Sequence, residues 1–339
     1  MAILITGGAG YIGSHTIIEL FDKGKKNVVS IDNYSNSSIA SYERIKAICG
    51  ESPTYKQLDL LDLNALEKVF EENKIESVIH FAALKSVPES VNEPLKYYEN
   101  NLLGLTNILS CCRRYGVENF IFSSSCSVYG NTTQLPVTEE TEMGIAESPY
   151  AASKQMGERI LEDFCRANEG FKAISLRYFN PVGAHMSGKN GEMPFDRPNN
   201  LVPIITQTAV GKIQKMQIFG GDYNTADGTC VRDYIHVSDI ANAHVLAVDY
   251  LKDRSSPANY HIFNLGTGKG TSVLGAVLAF EKVSGRKLNY EITERRAGDV
   301  EAIYANNSMA EKELGWTPKY GLDEMMDSAW KWQLNLGEK

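Results

Sequence analysis

The sequence has few of the features that would assign it to a specialised class of protein. Its 339 residues include six cysteines, with no Cys-x-x-Cys pair and no matching histidine spacing, so neither a disulfide framework nor a metal site is indicated. No stretch approaches the roughly 20 apolar residues that cross a bilayer. No basic segment precedes the apolar residues Ala2–Ile5, as a secretory signal would require. We therefore expect a protein of the reducing cytoplasm.

Basic residues are also in short supply. The chain has 34 Lys and Arg against 42 Asp and Glu, a net charge of -8 at pH 7, and its basic residues form neither a run nor a stripe. This argues against nucleic acid or an anionic membrane as a partner. Apolar residues make up 43% of the chain, enough for one large or two modest domains. Small molecules are the expected ligands.

Short apolar runs alternate with segments of helical period in the first half of the chain. This alternation is typical of βαβ units with a parallel sheet that is buried on both faces. We therefore predict an α/β fold with a doubly wound parallel (Rossmann-type) sheet. The predicted strands are Ala2–Thr6, Asn27–Asp32, Thr54–Leu58, Ser77–Ala82, Asn119–Ser123 and Lys172–Arg177. The predicted helices include Ser14–Asp22, Asn64–Glu72, Pro94–Tyr115, Pro149–Asn168, Thr271–Ser284 and one that ends near Trp332.

The composition changes after about residue 180. Gly, Pro, Asn and charged residues crowd between Pro181 and Asn200, as expected of a loop that crosses into a second region. We predict a Rossmann domain over residues 1–180 and a smaller mixed α/β domain over residues 181–339, with some later segments free to return to the first. Asn64, followed by Glu67, is expected to cap its helix.

A glycine-rich loop follows the first predicted strand and opens the first helix. It fits two related spacings, Gly8-x-Gly10-x-x-Gly13 and Gly7-x-x-Gly10-x-x-Gly13. Such glycines let backbone N–H groups at a helix start approach a pyrophosphate. We predict a dinucleotide site, with a ligand-free turn as the alternative. A second cluster, Gly266–Gly270, lacks the P-loop spacing and is predicted to be an ordinary loop.

Asp32 ends the second predicted strand, about 19 residues after Gly13. At this distance a carboxylate binds the adenosine ribose hydroxyls of a dinucleotide. A carboxylate would repel a 2′-phosphate, and no arginine follows directly. This favours NAD over NADP, and a strand-ending turn aspartate is the alternative.

Tyr150 and Lys154 are four residues apart on a predicted helix and therefore share one face. Bringing a tyrosine pKa from ~10 to near neutrality requires roughly 4 kcal/mol of preferential phenolate stabilisation, which Lys154 and a cationic nicotinamide would supply together. A phenolate is the base that a sugar hydroxyl needs when its carbon loses a hydride. A tyrosine and a lysine at this spacing are common on protein surfaces, so the pair indicates catalysis only together with the segment that precedes it. That segment is Ser123–Gly130, where hydroxyls end the fifth strand at the ligand-binding edge of the sheet.

Five segments carry a resemblance to a known family. They are TGGAGYIG from Thr6, SSSCSVYG from Ser123, SPYAASK from Ser148, RYFNPVGAH from Arg177 and VRDYIHVSD from Val231. In sequence and spacing, over nearly the whole chain, they resemble the extended short-chain dehydrogenases/reductases and, within them, the 4-epimerases of UDP-sugars. The resemblance implies reversible 4-epimerisation of UDP-glucose and UDP-galactose, a step of galactose metabolism, through a transient 4-keto sugar and bound NADH.

The resemblance also implies roles for individual residues. Tyr150 would be the base, Lys154 its electrostatic partner and ribose anchor, and Ser125 the group that holds the sugar 4-oxygen. The NAD-binding residues would be Gly7, Gly10, Tyr11, Ile12, Gly13, Asp32, Asn33, Asn36, Ser37, Asp59, Leu60, Phe81, Ala82, Ala83, Lys85, Asn100, Ser123, Tyr150, Lys154 and Tyr178. The substrate-binding residues would be Lys85, Ser125, Tyr150, Tyr178, Phe179, Asn180, Asn200, Leu201, Gln217, Phe219, Arg232, Arg296, Asp299 and Ile303. Guanidinium groups suit phosphate oxygens, to which they bind through two bonds. Alternatively, Phe219 is a core residue and Arg296 a solvated charge.

Two residues depart from the family pattern. Cys126 replaces a small apolar residue and is expected to pack like one. Ile303 occupies a site where tyrosine restricts the pocket to glucose and galactose and a small residue admits a 2-acetamido group. Isoleucine is intermediate in size, with a stiff β-branch. We predict epimerisation of UDP-N-acetylglucosamine that is slower than that of UDP-glucose, unless Ile303 merely packs in the core.

Three other functions are alternatives. Nucleotide-sugar dehydratases carry Asp-Glu where this chain has Cys126-Ser127, so elimination would lack its general acid. A non-catalytic NAD-sensing module has no use for Ser125, Tyr150 and Lys154 together. An epimerase acting mainly on another nucleotide sugar, such as UDP-N-acetylglucosamine, would differ only in the sugar pocket.

The resemblance finally implies a homodimer. Helices Pro94–Tyr115 and Pro149–Asn168 would pair with their counterparts across a two-fold axis in a four-helix bundle. The apolar surface for this contact is expected from Leu103, Leu105, Ile108 and Leu109, some of which must also pack on the sheet.

Overall fold

The computed structural model describes residues 1–194, 198–253, 258–296 and 299–337. Its strands are β1 (Ala2–Thr6), β2 (Val28–Asp32), β3 (Thr54–Gln57), β4 (Ile75–His80), β5 (Asn119–Ser125), β6 (Lys172–Tyr178), β7 (Asn180–Val182), β8 (Met216–Phe219), β9 (Val231–Arg232), β10 (Tyr234–His236), β11 (Tyr260–Leu265), β12 (Thr271–Ser272), β13 (Tyr290–Thr293) and β14 (Ala302–Ile303). Its helices are α1 (Tyr11–Asp22), α2 (Ala40–Cys49), α3 (Leu63–Glu72), α4 (Val87–Asn92), α5 (Pro94–Tyr98), α6 (Gly104–Tyr115), α7 (Pro149–Ala167), α8 (Leu201–Ala209), α9 (Val237–Lys252), α10 (Val273–Ser284), α11 (Ser308–Leu314) and α12 (Leu322–Gly337).

Seven parallel strands form the central sheet, in the order β11-β6-β5-β4-β1-β2-β3. Strand β1 is buried along its whole length, which explains its continuous apolar run. The predicted doubly wound fold is confirmed. All six predicted strands are present, with bounds within two residues of those expected.

The seventh strand, β11, has no counterpart among the predicted strands. It pairs in parallel with β6, from Tyr260 opposite Ala173 to Leu265 opposite Tyr178. Its first three residues are only half-buried, so its apolar pattern is weaker than that of the inner strands. A later segment of the chain thus returns to the first sheet.

Three helix predictions need correction. The cap of α3 is Asp62, whose carboxylate accepts a hydrogen bond from the backbone N–H of Ala65 at 3.0 Å; Asn64 already lies inside the helix. The predicted helix Pro94–Tyr115 is interrupted by a π-helical turn at Glu99–Leu103, between α5 and α6. Thr271 belongs to β12, because Ser272 caps α10 by accepting from the N–H of Gly275.

The remaining strands form smaller sheets: β7 with β10, β8 with β13, and β9 between β12 and β14. They share an apolar core with α8, α10 and α12, to which Ile205, Ile218, Phe280 and Met326 contribute. The smaller mixed α/β part of the fold prediction is thus confirmed. In the described ranges, no helix combines the length and hydropathy that a membrane crossing requires.

Candidate active site

The glycine-rich loop links β1 to α1. Gly10 precedes the first helical residue, has no capping side chain, and donates its N–H to the carbonyl of Gly7 at 3.1 Å. A Cβ on Gly13 would lie 2.3 Å from the Gly7 oxygen, so only glycine permits this close approach. The first turn, which begins with Tyr11 and Ile12, contains no acidic residue. This cradle fits the pyrophosphate of a dinucleotide.

Asp32 lies beside the loop at the end of β2 and is 7% exposed. Its carboxylate accepts hydrogen bonds from the N–H groups of Ala9 at 3.0 Å and Tyr34 at 2.9 Å, and from the Ser37 hydroxyl at 2.7 Å. These bonds fix the carboxylate against the glycine-rich loop. The bond from Ala9, which lies in that loop, is not part of an ordinary turn at the end of a strand. The position fits an adenosine ribose.

Two further predicted cofactor residues meet next to Asp32. The side-chain amide of Asn33 donates to Asp59 at 3.0 Å. Leu60 is buried in an apolar core cluster, whereas Asn36 is exposed in the loop after β2.

The segment Phe81–Lys85 follows β4 at the same edge of the sheet. The N–H of Phe81 donates to the carbonyl of Thr6 at 3.0 Å, and the N–H of Ala82 donates to the Thr6 hydroxyl at 3.3 Å. Ala83 follows without a secondary-structure assignment. The start of this segment therefore borders the glycine-rich loop, a placement in keeping with its predicted role along the cofactor.

The π-helical turn secures this segment through a residue that sequence analysis missed. Asn101 is 7% exposed. Its carbonyl oxygen accepts from the N–H of Leu84 at 2.8 Å and from the amide of Asn100 at 2.9 Å, while its own amide donates to Leu84 and Ser153. Asn100 is thereby brought to the same segment. Two adjacent asparagines inside a predicted helix were the available signal.

Lys85 and Asn200 meet at a second missed residue, Glu192. The ammonium of Lys85 lies 3.2 Å from Glu192 Oε1, and the amide of Asn200 donates to the same oxygen at 2.6 Å. Leu201 begins α8 directly after Asn200. The Glu192 carboxylate therefore binds both Lys85 and Asn200, two residues that are predicted to contact the cofactor or the substrate.

The three predicted catalytic residues are close together. Lys154 is 4% exposed and donates from Nζ to the carbonyl of Ser123 at 2.6 Å, with the same nitrogen 5.9 Å from the centre of the Tyr150 ring. Burial lowers the pKa of Lys154 to about 8, an effect that Glu158 opposes. Burial raises the pKa of Tyr150 to about 12, and a hydrogen bond with Ser125 opposes this rise.

Tyr178 lies next to the catalytic residues. Its hydroxyl is hydrogen-bonded to the hydroxyl of Ser123, and burial raises its pKa. Phe179 follows and is 4% exposed, and the N–H of Asn180 donates to the carbonyl of Asp233 at 3.0 Å. The end of β6 thus lies beside the end of β5, as parallel pairing requires.

A buried ion pair behind this group was not predicted. Arg177 and Glu158 are each 2% exposed at the side chain and form two hydrogen bonds, at 2.6 and 2.9 Å. The Ser124 hydroxyl donates to Glu158, and Arg177 donates to the Tyr129 hydroxyl at 3.0 Å. An arginine inside an apolar strand was the signal, because a buried charge requires a partner.

The predicted phosphate-binding arginines converge on one carboxylate. Arg296 forms two hydrogen bonds with Asp299, at 2.8 and 3.1 Å, and Arg232 Nη2 lies 3.7 Å from the same group. The guanidinium of Arg296 also lies 5.4 Å from the centre of the Phe219 ring. Gln217 is exposed on β8, two residues before Phe219. These contacts bring together Arg232, Arg296, Asp299 and Phe219, whereas Gln217 is not part of the group.

Ile303 is 5% exposed and lies next to Arg232 across the β14–β9 pair. It packs in an apolar cluster with Phe179 and Val128, and Cys126 is packed against this cluster. Burial raises the pKa of the Cys126 thiol to about 12, so it remains protonated at neutral pH and packs as a small apolar group.

Comparisons with known proteins agree with this geometry. A model of the NAD dependent epimerase/dehydratase family matches residues 3–266. A UDP-glucose 4-epimerase of Haemophilus influenzae is 51% identical over 335 residues, which cover 99% of this chain and 98% of that protein. The crystal structure of UDP-glucose 4-epimerase from Bifidobacterium longum in complex with NAD+ and UDP is 46% identical, with a TM-score of 0.94 and coverage of 99% of this chain and 98% of that one.

A second solved structure is UDP-glucose-4-epimerase from Stenotrophomonas maltophila with bound NAD and formylated UDP-arabinopyranose. It is 43% identical, with a TM-score of 0.96, and the match covers 100% of this chain and 99% of that chain. The resemblance seen in the sequence motifs is confirmed by these matches along the whole length. The chain therefore belongs to the NAD dependent epimerase/dehydratase family.

Proposed function

We propose that this enzyme interconverts UDP-glucose and UDP-galactose by inverting the configuration at C4, with NAD as its cofactor. The observation that supports this most directly is the grouping of Ser125, Tyr150 and Lys154 at the same edge of the sheet as a glycine loop that fits a dinucleotide. The relatives that carry this activity match the chain from end to end.

Residues of the first sheet would hold the cofactor. The N–H groups at the start of α1 would bind its pyrophosphate, Asp32 its adenosine ribose, and Lys154 its nicotinamide ribose. When bound, NAD supplies a reversible hydride acceptor for the sugar carbon. Gly13 lets the start of α1 pack against Gly7, where a Cβ would clash.

Tyr150 would accept the proton of the 4-hydroxyl and return it to the same oxygen after the sugar has turned over. The phenolate that this requires is disfavoured by burial, which raises the pKa of Tyr150 to about 12. Lys154, whose Nζ lies 5.9 Å from the centre of the Tyr150 ring, would favour the phenolate when it carries its positive charge. Ser125 holds the sugar oxygen and hydrogen-bonds the phenol, so the proton moves over one short path.

The UDP moiety and the sugar require different kinds of site. Arg232 and Arg296 would bind the diphosphate, releasing part of their contact with Asp299. The sugar end would be bordered by the apolar side chains of Phe179 and Ile303, which pack in one cluster and offer no hydrogen bonds. A sugar with few polar contacts is free to rotate while UDP remains fixed, as inversion requires.

We further propose that residues 1–180, completed by β11, bind NAD, and that most of residues 181–339 bind the UDP-sugar. The enzyme is proposed to work in the cytoplasm, since its six cysteines are free thiols, as is typical of reducing compartments. UDP-N-acetylhexosamines are proposed as additional, slower substrates because of Ile303.

The proposed function is tested by incubating the purified protein with UDP-galactose and no added cofactor. UDP-glucose should form to an equilibrium mixture, and NAD should be released when the protein is denatured. If no UDP-glucose forms either without or with added NAD, the proposal is contradicted. If UDP-glucose forms only with added NAD, the activity is confirmed and only the expectation that NAD stays bound during purification is wrong.

A further inference from the structure

Asp233 is a buried aspartate next to the predicted phosphate contact Arg232. Its side chain is 0% exposed. One carboxylate oxygen accepts from the N–H and the hydroxyl of Thr267, at 2.8 and 2.6 Å. The other accepts from the N–H groups of Gly268 and Ala305, both at 3.1 Å. Four neutral donors thus surround one carboxylate.

The second glycine cluster, Gly266–Gly270, is folded around this group. A Cβ on Gly266 would lie 2.4 Å from Asp233 Oδ2, so the close approach of the loop requires glycine. Successive N–H groups that converge in this way form an anion site. Here the anion is the Asp233 carboxylate. The second glycine cluster, which has no predicted role in binding the dinucleotide, is explained by its contact with this group.

The bonds of Asp233 join the segments that carry the predicted substrate contacts. Its backbone carbonyl accepts from the N–H of Asn180 at 3.0 Å. Ala305 lies two residues after Ile303, and Arg232 directly precedes Asp233. One buried residue therefore links the segments that contain Asn180, Arg232 and Ile303.

We propose that Asp233 is a positioning residue for the UDP-sugar site. It sets the spacing between Arg232, Asn180 and Ile303 without touching the substrate. This inference rests on the proposed substrate role of those three residues. Among the residues that the structure describes, the bonds of the Asp233 carboxylate reach Thr267, Gly268 and Ala305 and not the glycine loop of the cofactor site, so we expect its effect to be confined to UDP-sugar binding.

Asparagine is nearly the same size as aspartate but cannot replace it here. An amide offers one acceptor oxygen, and its NH2 group is a donor. In either orientation of the amide, that NH2 faces a backbone N–H, of Thr267 or of Gly268 and Ala305. At least one buried donor then loses its partner, and the segments are expected to shift apart.

The experiment compares Asp233→Asn with Asp239→Asn. Asp239 is a matched control because it is also a buried aspartate, 2% exposed, and accepts a backbone N–H, from Tyr320 at 3.2 Å. The segment it holds contains no predicted substrate contact. Both variants lose stability, but only Asp233→Asn is expected to raise the Kd for UDP, by about tenfold.

The KM for UDP-galactose should rise with that Kd, while kcat at saturating substrate and the amount of retained NAD change less than about twofold. Thr267→Val, which removes one hydroxyl donor, should raise the Kd less, and Thr267→Ser should restore it. A folded Asp233→Asn variant with an unchanged Kd would overturn the inference. If that variant does not fold, equal Kd values for Thr267→Val and the unmodified protein overturn it.

Arg232→Gln separates this inference from the proposed function. If it weakens UDP binding while Asp233→Asn does not, only the role of Asp233 is wrong. If neither changes the Kd, the assignment of the UDP site itself is wrong.

Discussion

At the scale of single residues, desolvation explains both of the principal pKa shifts in the catalytic group. Burial disfavours charge, so it raises the pKa of Tyr150 to about 12 and lowers that of Lys154 to about 8. Both shifts favour the neutral side chains, whereas proton transfer requires a Tyr150 phenolate and a Lys154 ammonium. We infer that the group is not a ready base by itself and becomes one when a positively charged ring is bound beside it.

Tyr150→Phe removes the proton acceptor and keeps the ring. We expect kcat to fall by orders of magnitude while the melting temperature changes little. Tyr260→Phe is the control, because that hydroxyl is also hydrogen-bonded to a serine, Ser175, at 2.7 Å but lies away from the site. Full activity of Tyr150→Phe would show that another group takes the proton.

Asp32→Asn is expected to weaken NAD binding and to reduce the preference for NAD over NADP, because the amide no longer repels a 2′-phosphate. Isothermal titration with both cofactors measures this. Asp62→Asn, at the cap of α3, controls for the loss of one negative charge, because asparagine caps a helix about as well as aspartate. Equal affinities of the unmodified protein for NAD and NADP would contradict the role of Asp32.

Ile303→Tyr tests the width of the sugar pocket. We expect the unmodified enzyme to epimerise UDP-N-acetylglucosamine more slowly than UDP-glucose, and the variant to lose only the acetylated activity. Ile303→Val keeps the β-branch and should retain both activities. Ile303 is buried among Phe179 and Val128, as a core residue would also be. No turnover of the acetylated substrate by the unmodified enzyme would contradict the prediction.

At the scale of elements, the parts that could be predicted depend on local pattern. Buried parallel strands are continuous apolar runs, so six of the seven were evident, and their carboxyl ends necessarily meet at one edge. This is why the residues that end the second and fifth strands, Asp32 and Ser125, were expected at the ligand-binding edge. The strand β11 was missed because its first half is only partly buried and its partner lies far back in the sequence.

The remaining site residues depend on contacts between distant elements. Glu158 of α7 meets Arg177 of β6, and Glu192 meets both Lys85 and Asn200. No spacing rule relates such pairs, because their proximity follows from the complete packing. Arg177 lies in an apolar strand of the sequence, but no local pattern identifies its partner.

Glu158→Gln tests how strongly the buried pair ties α7 to the sheet. Loss of the carboxylate leaves the Arg177 charge buried without a counter-charge, so the free energy of unfolding should fall by about 3–5 kcal/mol. Glu162→Gln, on the same helix but in exposed pairs with Arg159 and Arg166, should cost less than about 1 kcal/mol. Chemical denaturation of both variants measures the difference, and equal losses would show that the buried pair adds nothing.

At the scale of the whole molecule, exposed apolar side chains favour the predicted homodimer, with one correction to its surface. Leu105, Ile108 and Leu109 are buried against the sheet and are unavailable for a partner. Leu103 is 47% exposed, and exposed apolar residues of the neighbouring helices extend its surface. Those residues are Val87, Val91, Leu95 and Met156.

Sedimentation equilibrium at micromolar concentration should therefore give twice the monomer mass. Leu95→Glu together with Leu103→Glu should shift the protein towards monomer, since buried charges oppose association. Ile145→Glu is the control, because Ile145 is 89% exposed but lies in the loop before α7. Sedimentation of the unmodified protein at the monomer mass would exclude the dimer.

The late position of β11 in the chain has a consequence during protein synthesis. The sheet acquires its last strand only after Leu265 has left the ribosome, 87 residues after β6 ends at Tyr178. Until then the backbone groups along Ala173–Tyr178 that pair with β11 are an open edge, flanked by buried apolar residues such as Ile174 and Leu176. Such an edge can pair with another nascent chain, so polysomes that translate this protein are expected to depend on a chaperone during that interval.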